Sequence, residues 1–160
     1  MLERFLVAAL LATSAASAAD AQRRPMDDPL IGKLAGTWKV TGTVRGKPID
    51  QQLQAGWVLE HQFMLLHFNG GGYEAQVFIG ADEKRKRYVV HWIDVTGGAY
   101  SEPIGYGQAE GADRFVVTFD YPESLFKDTF SFDGTSWRML IESRDKSGNW
   151  KTFADERFSR

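Results

Sequence analysis

The sequence predicts an all-β fold, about ten antiparallel strands closed into an up-and-down barrel. Three observations carry this reading. Short runs rich in Val, Ile, Thr, Phe, Tyr and Trp recur every 8 to 14 residues from Thr37 onward. Gly, Asn and Asp punctuate them, and no amphipathic helix of useful length intervenes apart from a turn near Pro29–Ala35. The connections are short, with no long Greek-key crossover, so consecutive strands pair and closure removes the exposed edges. A two-sheet sandwich is the competing architecture.

The runs follow from residue chemistry. Thr37–Val44, Asp50–Leu59, His61–Phe68 and Tyr73–Ala81 carry the β-branched and aromatic side chains that suit a pleated surface. Asn69-Gly70 is the expected hairpin turn between the third and fourth, because both residues tolerate positive φ. The basic stretch Lys84-Arg85-Lys86-Arg87 reads as a solvated turn into Arg87–Val95. Thr96-Gly97-Gly98 then leads to Glu102–Gly107, Arg114–Tyr121 and Leu125–Phe132. Asp133-Gly134 turns into Ser136–Ser143, and Ser147-Gly148-Asn149 into Trp150–Phe158.

Side-chain alternation assigns some faces and leaves others open. Trp137, Met139 and Ile141 share an apolar face that points inward. Asp128 lies on the same face as Phe126, Phe130 and Phe132, where a carboxylate is costly unless paired or wet. It therefore reads either as the partner of an arginine, or a rim residue, or as a polar handle for a ligand. Tyr88, Val90, Trp92 and Asp94 face one way and Val89, His91, Ile93 and Val95 the other, and both faces are apolar enough to be inside. The last run is equally ambiguous.

The N-terminus has the three parts of a cleavable signal peptide. Arg4 supplies a positive charge, Phe5–Ala12 an apolar stretch too short to span a bilayer, and Ala16-Ser17-Ala18 and Ala19-Asp20-Ala21 small-residue cleavage sites. Residues 1–21 are thus expected to be removed, residues 22–33 to form a mobile polar leader, and residues 34–160 to form the barrel. The address is periplasmic or secreted, with no stable membrane anchor after cleavage. There is no cysteine, which excludes thiol catalysis, disulfides, Cys-ligated metals and lipidation. The net charge of −2 provides no basic excess for nucleic acid.

Two motifs carry a resemblance. Gly36-Thr37-Trp38 opens the first run with the Gly-x-Trp signature of lipocalin-like (calycin) barrels. In those barrels the tryptophan plugs the closed end beneath an arginine from the last strands. The resemblance implies Gly36 and Trp38 in that role, with Arg157 or Arg144 as the cation. Phe78-Ile79-Gly80-Ala81-Asp82, Lys86-Arg87-Tyr88-Val89, Trp92-Ile93-Asp94 and Gly97-Gly98 resemble the bacterial DUF1579 family, with Trp57-Val58-Leu59-Glu60 and the C-terminal hairpin adding to the match over residues 34–160. Glu60-His61 stands where that family often has glycines. The resemblance implies a fold and no particular activity. Nitrobindin-type barrels share Gly-x-Trp but bind haem through a late histidine, and this chain has none after His91.

No cofactor is expected. His61 and His67, six residues apart on an extended strand, lie roughly 20 Å from each other and cannot share an ion. No Gly-x-Ser-x-Gly elbow is present, and Gly70-Gly71-Gly72 lacks the helix that would make it a phosphate loop. A ten-stranded barrel is wide enough to enclose a cavity. The leading reading is therefore a barrel that binds or carries a small hydrophobic or amphipathic molecule. Trp57, Tyr88, His91, Trp92, Asp94, Asp128 and Met139 are the candidate lining. One alternative is a barrel enzyme of isomerase, cyclase or hydrolase type, using His91 and a carboxylate. Another is a filled barrel acting as a structural or protein-interaction module.

Overall fold

The computed structural model describes residues 24–160. A one-turn helix, α1 (Pro29–Gly32), precedes β1 (Gly36–Val44), β2 (Lys47–Val58), β3 (Phe63–Gly70), β4 (Tyr73–Asp82) and β5 (Arg87–Asp94). A 3-10 turn at Gly98–Tyr100 leads to β6 (Ile104–Ala109), β7 (Arg114–Tyr121), β8 (Ser124–Phe132), β9 (Trp137–Arg144) and β10 (Trp150–Ser159). Each strand pairs antiparallel with its sequence neighbours, and β1 pairs with β10 to close the barrel. The chain is therefore an up-and-down barrel rather than a sandwich, and all ten expected runs are strands.

Three local details differ from the sequence reading. Gly70 pairs with Tyr73, so the β3–β4 turn is Gly71-Gly72, whose φ values of +63° and +80° match the twist of a tight hairpin. His61 is not in β3. It ends a left-handed run of Leu59, Glu60 and His61 (φ +52°, +56° and +67°), which reverses the chain between β2 and β3. The segment expected as a mobile leader is packed from Met26 onward. Met26 N donates to His61 O at 2.8 Å, and Met26, Leu30, Ile31 and Leu34 are buried. The apolar side chains in this segment outweigh its prolines and charges. The signal-peptide reading and residues 22–23 lie outside the described residues.

The segment closes one end of the barrel. Asp28 caps α1 by accepting from Leu30 N and Ile31 N, while Tyr88 Oη donates to its other oxygen at 2.6 Å. The indole of Trp38 donates to Leu34 O at 2.7 Å, and that of Trp137 to Lys33 O at 3.3 Å. The cation over Trp38 is Arg160, with Cζ 4.1 Å from the ring centroid and a hydrogen bond to Ala35 O. It is neither Arg157 nor Arg144. Alternation turns Arg157 outward, where it pairs with Asp133, and Arg144 bonds Gly148 O in the β9–β10 hairpin. Gly36 leaves room for this cation, since a Cβ there would lie 2.7 Å from an Arg160 nitrogen.

The left-handed β2–β3 turn generates a prediction. Exposed Glu60 holds a backbone conformation that costs an L-residue about 1–2 kcal/mol and glycine almost nothing. After the entropy glycine adds to the unfolded chain, Glu60→Gly is expected to stabilise the protein by about 0.5–1 kcal/mol. A shift of the urea midpoint to higher concentration at unchanged slope is the readout.

A half-open interior as the candidate functional site

The inward faces fill one half of the barrel and leave the other open. Toward α1 the space is occupied by side chains such as Leu53, Met64, Ile79, Phe115, Trp137 and Phe158, all fully buried. Phe115 stacks on Phe130 at 4.4 Å and meets Trp137 edge-on, so no space remains between the aromatic groups here. At the opposite end, ringed by the β1–β2, β3–β4, β5–β6 and β7–β8 connections, lies a cavity of about 1050 Å³. Its walls are mainly apolar, with Phe68, Trp92, Phe119, Phe126, Ile141 and Phe153 prominent.

Phe153 reaches this wall because of an irregularity in β10. The pairing with β9 slips between Thr152 and Ala154, so Phe153 is an extra residue in the ladder. Its ring meets Phe126 edge-on at 5.3 Å, and Arg45 lies 4.9 Å above it at the rim. Beyond the slip the alternation is regular: Ala154, Glu156 and Phe158 are buried and face inward. Gly42 of β1 faces Glu156, and the strands approach so closely that a Cβ on Gly42 would lie 2.1 Å from Asp155 O.

The predicted site residues divide three ways. Trp92, Asp94 and Asp128 line the cavity. Trp57, Tyr88 and Met139 belong to the filled half: Trp57 stacks on His61 at 4.2 Å, Tyr88 is tied to Asp28, and Met139 packs opposite Phe130. His91 is on the outer wall, where its Nε2 sits 2.7 Å from Ser101 O and pins the β5–β6 loop. The pairing of β5 with β4 puts Val90 and Trp92 inward and leaves His91 no route to the interior. His91 is therefore not placed to act on a molecule in the cavity, and the interior is not wholly filled. Sequence reasoning missed Glu156, Tyr73, Tyr121, Phe126 and Phe153 as lining residues.

Polar groups in the cavity form two sets. The first is a satisfied chain: Trp92 Nε1 donates to Tyr73 Oη (3.1 Å), and Tyr73 Oη donates to Asp94 Oδ2 (3.0 Å). Asp94 also accepts from the backbone N–H and the hydroxyl of Thr96. The second is Asp128 and Glu156, 4% and 6% exposed, with neither a hydrogen bond nor a cation against either carboxyl among the described residues. Burial pushes the Asp128 carboxyl up to about 8, and the charge of Glu156 adds to the push. Burial lifts Glu156 to about 7, with Asp155 contributing. Among the described residues, no group of three His, Asp or Glu is placed to hold a metal ion.

No protein-family model matches the chain, and a search of the curated proteins returns no match.

The buried carboxyls set the pH dependence of stability. The usual Asp value is 3.8 and the folded value about 8, so between these the folded protein holds a proton that the unfolded chain has released. Stability is thus fully present below about pH 4 for this group and is lost as pH rises toward 8. Asp128→Asn is expected to flatten that slope and to stabilise the barrel at pH 8 by about 1–3 kcal/mol. Denaturant melts of both proteins at pH 5 and pH 8 measure it, and a slope unchanged in the variant contradicts the assignment.

Proposed function

We propose that this chain is a binding barrel that holds a small hydrophobic or amphipathic molecule in the open half of its interior. One observation carries the reading: the cavity of about 1050 Å³, apolar in most of its wall and open at one end. Small-molecule sites commonly have volumes of about 300–1,000 Å³, apolar walls and a few convergent polar groups. The opposite end is plugged by α1, Trp38 and Trp137, so the molecule enters by the hairpin-ringed mouth. This closed-bottom, open-top form, with Gly36-Thr37-Trp38 at the plug, supports placing the chain among calycin-like barrels. The motifs around Gly80, Trp92 and Asp94 support DUF1579 as the finer assignment. The small-residue sites near Ala18 and Ala21 support export to the periplasm, where a carrier protects an apolar cargo from water.

Binding is tested with N-phenyl-1-naphthylamine, a neutral fluorophore that brightens in apolar surroundings. The wild-type protein is expected to enhance its emission saturably, with quenching of Trp92. Ala154→Phe, which places a ring in the cavity wall, is expected to weaken binding by about tenfold or more while leaving the circular dichroism spectrum intact. Enhancement that is absent, or indifferent to Ala154→Phe, rejects the cavity as the site. For export, N-terminal sequencing of the full chain expressed in a bacterium is expected to show a mature start at Ala19 or Gln22.

A further inference from the structure

The cavity offers hydrogen-bond acceptors and has used most of its donors. Trp92 Nε1 is spent on Tyr73, Tyr73 Oη on Asp94, and Tyr121 Oη on Tyr100 O. The Gln51 amide contributes one group of each kind. Against these stand Asp128 on β8 and Glu156 on β10, more than nine-tenths buried and facing the cavity. Their cross-strand neighbours are Val117 and Ile141 for Asp128, and Gly42 and Met139 for Glu156, none of which can donate from its side chain. The nearest cations in the lining are Arg45 and Lys47, exposed residues of the β1–β2 hairpin at the rim. Carboxyl groups in the lining outnumber these two cations, with Asp50, Asp94 and Glu123 added to Asp128 and Glu156. Asp50 is exposed and pairs with Lys39, so the interior itself presents two carboxyls beside an aromatic wall.

Two carboxyls facing one cavity disfavour each other's ionisation, as the effect of Glu156 on Asp128 shows, and a bound cation would compensate them. The wall supplies aromatic rings near the carboxyls: Tyr121 meets Phe126 edge-on at 5.4 Å, Phe126 meets Phe153 likewise, and Phe126 lies two residues from Asp128 on the same face of β8. The absence of a third metal-ligating side chain among the described residues favours an organic cation over a metal ion. We propose that the molecule held in this cavity is an amphipathic amine, its ammonium group bound by Asp128 and Glu156 and its apolar part lying against Tyr121, Phe126 and Phe153. The proposal rests on the cavity being a binding site and names the chemistry of its occupant.

The test is a matched series of decylamine, decanol and decanoate, titrated calorimetrically at pH 9, where both carboxyls are ionised and the amine is still cationic, into the wild-type protein and into Asp128→Asn/Glu156→Gln. Wild type is expected to bind decylamine about 10–100-fold more tightly than decanol, as a charge-assisted hydrogen bond allows, and decanoate most weakly. In the double variant, decylamine is expected to fall to the affinity of decanol while decanol itself is unchanged. The amides keep the shape of the acids and remove two buried charges, so the variant retains the fold. Decanol or decanoate binding as tightly as decylamine, or an amine preference that survives the double substitution, overturns the proposal. If decanol and the neutral fluorophore bind without an amine preference, the cavity reading stands and the amine assignment alone fails. If no member of the series binds, both fail.

Discussion

Ten strands closed edge to edge enclose more space than their own inward side chains can fill, and the rest of the structure answers that constraint. Eight strands bring opposite walls close enough for side chains to meet, whereas ten leave a gap along the axis. The chain meets the gap differently at its two ends. At one end it adds material from outside the wall, with α1 and the segment around it inserting Leu30, Ile31 and Leu34 beneath Trp38 and Trp137. At the other end no segment of the described residues is added and the gap persists as a cavity. Closure itself depends on the β1–β10 seam, where Gly42 admits a backbone approach that a side chain would block.

The same seam decides the chemistry of the interior. Because β10 slips by one residue at Phe153, it can place an aromatic ring at the mouth and still present Glu156 inward two residues past Ala154. Glu156 then shares the cavity with Asp128, and its charge adds to burial in making ionisation of Asp128 harder. The charge of Asp128 also helps raise the Tyr121 phenol, though burial is the larger cause. Trp92, Tyr73 and Asp94 in the same lining are tied into a local network. Asp128 and Glu156 stand outside that network among the described residues and face the cavity directly.

The motifs behind the family resemblance now have physical roles, and these are structural. Asp82 ends β4 and holds the following turn by accepting from Arg85 N, the Arg85 guanidinium and Arg87 Nε. The basic stretch is therefore partly neutralised within its own turn. Gly80 lies under the ring of Phe63, where a Cβ would come within 2.5 Å of it. Trp92 and Asp94 are joined through Tyr73 at the cavity mouth. The left-handed turn at Leu59–His61 shows why glycines suit that position and what this chain sacrifices by lacking them.

The sequence by itself determined the strand count, the order of pairing and the inward face of β9, because alternation and turn chemistry are local. Asp128 among phenylalanines was legible for the same reason, as was the inward face of Trp137, Met139 and Ile141. The tertiary structure decided what locality cannot reach. It chose between the two equally apolar faces of β5, and so sent His91 outward and Trp92 inward. It revealed Glu156, hidden in sequence by the slip that shifts the phase of β10. It recruited Arg160 in place of Arg157, because the cation over Trp38 comes from beyond the end of the last strand's alternation. And it showed that among the described residues no arginine pairs with Asp128. Whether a buried charge is paired depends on which side chains meet across the barrel, a distance set by closure and written in no single strand.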